Sequence, residues 1–195
     1  MSYLTGPSIE EGIASGAIVI DPYVPEHVGP NSVDLRLGDE ILQYVINDGH
    51  YHRRHGFHLD SRKAPRTIPA HREKDGSYIL SPRTLYIART LERIETDYYM
   101  PEIDGRSSIG RLGCSIHITA GRGDVGFKGT FTLEITVVHP LRVYPGDRIC
   151  QVFFNAVEGQ RRLYRGRYQG QEDPTPSRFH LEGFPPDGGD HAEGA

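Results

Sequence analysis

The sequence predicts a mainly β fold, a jelly-roll-like sandwich or distorted barrel with one or two short helices. Three observations carry this expectation. The 195 residues include 23 Gly and 14 Pro, recurring as punctuation between short apolar runs, the rhythm of short strands joined by turns. Over residues 130–138, Phe131, Leu133, Ile135 and Val137 alternate with Thr132, Glu134 and Thr136, the period of a strand with one face on a core. A clear helix-start signal occurs at one place, near the N-terminus.

In that helix Ser8 is the expected cap, with Glu11 three residues on as in a capping box and Ile9 and Ile13 on one face. Strands are expected at 17–20, 32–37, 40–45, 78–80 and 84–90, then at 115–119, 129–138, 142–144 and 148–156. Pro145-Gly146-Asp147 reads as a turn into the last of these. Residues 46–76 are polar and rich in His, Arg and Gly, a long excursion with little core. From about residue 165 the periodicity ends, and the last residues have the composition of a flexible segment. The expected organisation is one domain over 1–178, whose tail starts near 165, followed by a flexible extension over 179–195.

A chain of this length can build a real core. The net charge of −4 argues against a general nucleic-acid binder, which carries a large basic excess. The sequence has neither a run of about 18 apolar residues nor a basic-then-apolar leader, so a cytoplasmic protein with no membrane partner is expected. Cys114 and Cys150 both stand in apolar surroundings, which reads as two buried thiols rather than a disulfide.

Four stretches carry chemistry. In Gly105-Arg106-Ser107-Ser108-Ile109-Gly110-Arg111-Leu112-Gly113, two arginines flank two hydroxyls among glycines. Hydroxyls and backbone N–H groups donate to phosphate oxygens, and arginine adds a charged fork. If Ser107 or Ser108 caps a short helix there, its N-terminus adds to the attraction. The plainer reading is a capped helix with two solvated arginines. In residues 117–129, Asp124 lies among glycines, either shaping a turn or free to bind a hydroxyl or a water, and His117 is either a base or a structural residue. Glu134 sits mid-strand on the polar face, where it is solvated or else buried and paired, in the latter case able to act as a general acid/base. The run Tyr164-Arg165-Gly166-Arg167-Tyr168-Gln169-Gly170-Gln171 mixes basic, aromatic and amide groups, suiting a lid over an anionic, stacked ligand or simply a solvated tail.

His50, His52, His55, His58 and His71 raise the question of a metal, but no cysteine or acidic partner stands at zinc-ligand spacing. A zinc-dependent nucleoside deaminase needs H-x-E followed by P-C-x-x-C. The two cysteines here are too far apart for that.

Taken in order, these segments resemble the dCTP deaminase family, whose fold is shared with trimeric dUTPases. The resemblance opens with Ile20-Asp21-Pro22 and with Gly29-Pro30-Asn31-Ser32-Val33-Asp34-Leu35-Arg36-Leu37-Gly38. It continues through residues 105–113, 117–129, Thr132-Leu133-Glu134 and 145–151. It closes with Arg167-Tyr168-Gln169-Gly170-Gln171 and Pro174-Thr175-Pro176-Ser177-Arg178. Only residues 46–76 and the last dozen or so fall outside it.

The resemblance implies a dUTPase-type fold and a homotrimer with active sites shared between subunits. It implies zinc-independent hydrolytic deamination of dCTP, or a closely related deoxycytidine nucleotide, to dUTP and ammonia. Arg106, Ser107 and Ser108 would hold the triphosphate with Mg²⁺ bound through it, no metal being held by the protein itself. Glu134 would be the general acid/base, Arg111 of a neighbouring subunit would orient it, and Thr119 with the Ala120 backbone would place the attacking water. Asp124 would contact the deoxyribose 3′-hydroxyl; the matching carboxylate of dUTPases activates water against phosphorus. Tyr164, Arg167 and Gln171 would belong to the closing tail.

This chain departs from the pattern at Arg122, Gly123 and Val125, where Gly123 is expected to loosen the backbone beside Asp124 and Arg122 to add charge near the sugar. Alternatives are a bifunctional enzyme giving dUMP and pyrophosphate, a plain dUTPase, and a nucleotide-binding regulator without turnover.

Overall fold

A computed structural model describes residues 2–46 and 58–183. The first helix, α1, spans Gly6–Ala14, and its cap is Thr5, whose side-chain oxygen accepts the Ser8 N–H at 3.4 Å. The cap therefore falls three residues before the expected Ser8. Pro7 explains the shift, since a proline fits the first helical turn, where its missing N–H has no partner to lose. Ile9 is fully buried and anchors the helix to the core.

The strands are β1 (Val19–Asp21), β2 (Val33–Arg36), β3 (Leu42–Tyr44), β4 (Thr67–Pro69), β5 (Tyr78–Leu80), β6 (Tyr86–Glu95), β7 (Tyr99–Gly105), β8 (Cys114–Ser115), β9 (Lys128–Val137), β10 (Leu141–Val143) and β11 (Arg148–Ala156). A short helix, α2 (Ser107–Gly110), lies between β7 and β8. The expected mainly β class is what the chain adopts.

The largest sheet has the order β4-β3-β6-β9-β8, with β1 also pairing β6; β2-β11-β7 form a second sheet and β10-β5 a third. Among the described residues no sheet closes into a barrel. Closure needs a continuous staggered ladder, and the main sheet ends at β4 and β8, three and two residues long. The inner face of β9 (Leu133, Ile135) meets Leu35 and Leu37 from β2 and its end, and Val152 and Phe154 from β11, in one apolar cluster. Between the layers, Glu92 of β6 is almost fully buried and takes the Arg36 Nε at 2.6 Å and the Arg36 backbone N–H at 2.8 Å. Each carboxylate oxygen thus has a partner, which a buried charge requires.

Several elements fall elsewhere than expected. Strand β7 is unanticipated because its Pro101 and acidic residues read as a break; it lies at a sheet edge, where proline is tolerated. Strand β6 runs on to Glu95, since its Glu92 is paired rather than solvated. Strand β4 lies inside the supposed excursion and pairs with β3. Of the histidine cluster, His50, His52 and His55 lie outside the described residues. Only Cys114–Ser115 pairs where a strand over 115–119 was expected, and residues 116–118 are diverted onto Glu134. Beyond residue 178, Phe179–Leu181 form a helical turn. Cys114 and Cys150 are buried and free, and burial pushes the Cys114 thiol up to about 11 and that of Cys150 higher still.

Candidate active site

Strand alternation puts Thr130, Thr132 and Glu134 together on the outer face of the main sheet. The antiparallel registers add neighbours on that face. Glu134 lies opposite Ile87, Thr132 opposite Arg89, and Leu42 opposite Ile87, so Tyr44, two residues beyond Leu42, shares the face.

The Glu134 carboxylate is held by the segment beside it. Its Oε2 accepts the Ile118 N–H at 2.9 Å, while the Glu134 N–H donates to Ile116 O at 2.8 Å. The chain thus grips Glu134 at both backbone and side chain. His117, between the two grips, has its Nε2 3.6 Å from Asp104 Oδ1. Thr119 and Ala120 follow at once and are exposed, on the same loop as the Glu134 donor.

The tail runs beside the start of β9, along the edge that β6 leaves free, and reaches this face at Tyr44. Gln171 O accepts the Thr130 N–H at 3.0 Å, and Gln171 Nε2 donates to Thr130 O at 2.9 Å. Gln169 Oε1 accepts the Lys128 N–H at 2.9 Å and its Nε2 donates to Gly126 O at 2.7 Å. Further along, the Ser177 N–H donates to Tyr44 Oη at 3.3 Å. Burial, with smaller contributions from Glu134 and Tyr168, pushes the Tyr44 hydroxyl above its ordinary value despite the Ser177 N–H. The close seat depends on Gly129, where a Cβ would stand 2.5 Å from Gln171 O.

Arg167 faces the tail itself. Its guanidinium donates to Arg178 O at 3.0 Å and pairs with Glu182 at 3.0 Å, and Arg178 returns a bond to Arg167 O. Tyr164 packs near Phe127, ring centroids 6.1 Å apart, and its N–H donates to Val125 O at 2.8 Å. Beside it a cleft of ≈ 390 Å³ is lined by Asp124, Val125, Met100 and residues 162–165.

The phosphate-binding candidates stand apart from Glu134. Arg106 Nε pairs with Asp34 Oδ1 at 2.9 Å and its Nη1 donates to Arg148 O at 3.1 Å; Arg148 reaches the other Asp34 oxygen at 3.3 Å. Arg106 itself is the N-cap of α2, without a side-chain cap bond, so neither Ser107 nor Ser108 caps it. Both serines are exposed. Arg111, at the helix C-terminus, is also exposed, and among the described residues it makes no hydrogen bond or ion pair through its side chain. No such contact links Arg106, Arg111 or Asp124 to Glu134 among the described residues.

The departures prove well anchored. A Cβ at Gly123 would stand 3.0 Å from the Phe131 ring and from Pro101 Cγ, and the Gly123 N–H donates to Pro101 O at 2.8 Å. That backbone is pinned, contrary to the expected loosening. Arg122 pairs with Glu102 at 3.4 Å, a carboxylate also bound by Tyr3 and Asn155. Asp34, Tyr44 and Arg89 were not singled out in the sequence; the signal for Asp34 was its place in Asn31-Ser32-Val33-Asp34-Leu35-Arg36.

A carboxylate gripped at backbone and side chain can carry protons, and the arginines and hydroxyls on a separate turn can bind an anion. The chain belongs to the dCTP deaminase-like family, whose model matches residues 3–157. It is 43% identical over 180 residues to a protein of Cytophaga hutchinsonii named dCTP deaminase, dUMP-forming, covering 92% of this chain and 97% of that one. It is 45% identical, with the same coverage, to a Leptospira biflexa protein of the same name. Among solved structures, a 2′-deoxycytidine 5′-triphosphate deaminase from Agrobacterium tumefaciens matches with TM-score 0.56 at 20% identity, over 80% of this chain and 48% of that one.

These names correct one expectation. The reading with dUTP as the end product is overturned, because the relatives are named for dUMP. The residue argument for Glu134 concerned the C4–N bond alone and said nothing on the phosphoanhydride.

Proposed function

We propose that this protein converts dCTP to dUMP, ammonia and pyrophosphate by two successive hydrolyses. The observation that carries the reading is the doubly gripped Glu134, together with relatives named for the dUMP-forming reaction.

In the first step Glu134 takes a proton from the water that attacks C4 of cytosine, then returns it to the departing amino group. One water is consumed: one of its protons leaves in ammonia by way of the carboxylate, the other ends on N3 of the pyrimidine as the C4 carbonyl forms, and the carboxylate is restored. Ile118 N–H fixes the carboxylate so that little reorganisation is needed during the transfer. In the second step a water attacks the α-phosphorus, Asp124 accepts its proton, and pyrophosphate leaves. Asp124 is exposed beside Tyr164 and the residue 162–165 segment, where a sugar and phosphate have room. Arg106, Ser107 and Ser108 hold the triphosphate, with Asp34 fixing the Arg106 fork.

In this reading Mg²⁺ arrives on the triphosphate. When bound it neutralises part of the phosphate charge. Arg111 is exposed and, among the described residues, without a side-chain partner in its own chain, which supports its service to Glu134 of a neighbouring subunit in a homotrimer.

The test is purified protein with dCTP and Mg²⁺, with nucleotides, ammonia and pyrophosphate quantified together. The expected result is dUMP with ammonia and pyrophosphate in equal amounts. Tight dCTP binding without any ammonia would instead indicate a nucleotide-binding regulator.

A further inference from the structure

The two acceptors of the Arg167 guanidinium come from opposite ends of one helical turn. Phe179–Leu181 form that turn, with Arg178 at its start and Glu182 at its end, where the Glu182 N–H donates to Phe179 O at 3.0 Å. Arg167 Nη1 donates to the Arg178 carbonyl and Nη2 pairs with Glu182 Oε1, both at 3.0 Å. Arg178 closes the loop in return: its guanidinium donates to Arg167 O and lies over the Tyr168 ring, and its N–H donates to Tyr168 Oη at 3.0 Å. The loop from 167 to 178 is thus fastened without Glu182. The Glu182 pair is an addition, and with side chains 31% and 40% exposed it contributes little to stability.

We infer that Glu182 is an autoinhibitory anion, occupying the Arg167 guanidinium until a polyphosphate displaces it. A carboxylate and a phosphate present the same oxygens to an arginine fork, so one nitrogen cannot serve both fully. Exchange needs only the 179–182 turn to swing aside, because the Nη1 bond to Arg178 O and the return bond from Arg178 keep the arginine in place. The carboxylate therefore lowers the affinity of the tail for an anion while leaving the tail folded. The inference rests on the functional reading above in one respect, that the displacing anion is the triphosphate of the nucleotide. Glu182 lies beyond the residues that the family model matches.

The experiment titrates inorganic triphosphate with Mg²⁺ calorimetrically into the full chain as wild type, Glu182→Gln, Arg167→Gln and the double variant. Glutamine keeps the size of Glu182 and removes its charge. Glu182→Gln is expected to lower Kd about twofold to fivefold, the range that an exposed ion pair can supply, and to lower the KM for dCTP with it. Arg167→Gln should raise Kd, and in its background Glu182→Gln should change nothing. An unaltered Kd in Glu182→Gln overturns the inference. A raised Kd does so too, as the mark of a carboxylate that merely supports its arginine. A gain that survives in the Arg167→Gln background also overturns it, since net charge alone would then be the cause. If wild-type protein releases no dUMP from dCTP, the functional reading fails, while the triphosphate titrations still decide the role of Glu182.

Discussion

The Glu134 carboxylate and the Ile118 N–H are joined by a 2.9 Å hydrogen bond, supplied by backbone and therefore independent of the side chain at 118. The donor belongs to a segment whose Ile116 carbonyl also accepts from the Glu134 N–H. A displacement of residues 116–118 therefore moves the carboxylate with it, and the carboxylate cannot drift alone.

Glu134→Gln tests the base without disturbing this arrangement. The amide oxygen can still accept from Ile118, so fold and nucleotide binding are expected to persist. Ammonia release should fall by about a hundredfold or more, the usual contribution of a positioned acid/base. Calorimetric titration with dCTP beside a turnover assay separates the two effects, and near-normal turnover would remove Glu134 from its role.

Asp34 acts through Arg106. Its two oxygens take Arg106 and Arg148 at 2.9 and 3.3 Å, and its side chain is largely buried. Asp34→Asn should cost about 1–3 kcal/mol of stability and raise the KM for the triphosphate as the Arg106 fork loses its fixed direction. A thermal melt and a KM measurement check this, and a stability loss with KM unchanged would make Asp34 purely structural.

For the tail, Gln171→Ala removes the bond to Thr130 O while leaving the core untouched. The melting temperature should hold, with kcat/KM for dCTP reduced and protease cleavage after residue 165 accelerated. Unaltered kinetics with faster cleavage would separate the tail from catalysis.

The thiols give a prediction in pH. Burial raises Cys114 from 9.0 to about 11, so at pH 8 its thiolate fraction is on the order of one in a thousand. Alkylation of the native protein at pH 8 should be negligible and should become complete in denaturant. The linkage has a defined sign as well. Below the unfolded value near 9 both states keep the proton, and between about 9 and 11 only the unfolded state releases it, so stability falls as pH rises through that window.

Much of this architecture was legible in the residues because alternation is a strong signal: β9 and β11 carry it clearly, and Glu134 stood out as the charged residue on a polar face. The misses have particular causes. Pro101 hid β7 because propensity does not know which strand lies at an edge. The charged run Glu92-Arg93-Ile94-Glu95 hid the second half of β6, since burial of Glu92 depends on Arg36, 56 positions away in sequence. Thr5 won the helix cap over Ser8 because Pro7 fixed the first turn. In the site, Asp34 and Tyr44 act through contacts with Arg106 and Ser177, which no local pattern reveals. The product for which the relatives are named lay beyond any argument about Glu134, and those names corrected the expectation of dUTP.

Gly129 has a wider consequence. A hydrogen is all that fits between the start of β9 and the carbonyl of Gln171. Any larger side chain there would act as a doorstop, leaving the sheet and its carboxylate intact while preventing the arm from coming to rest. If the arm encloses a nucleotide as proposed, position 129 separates having the machinery from being able to hold a guest, and a single methyl group would uncouple the two.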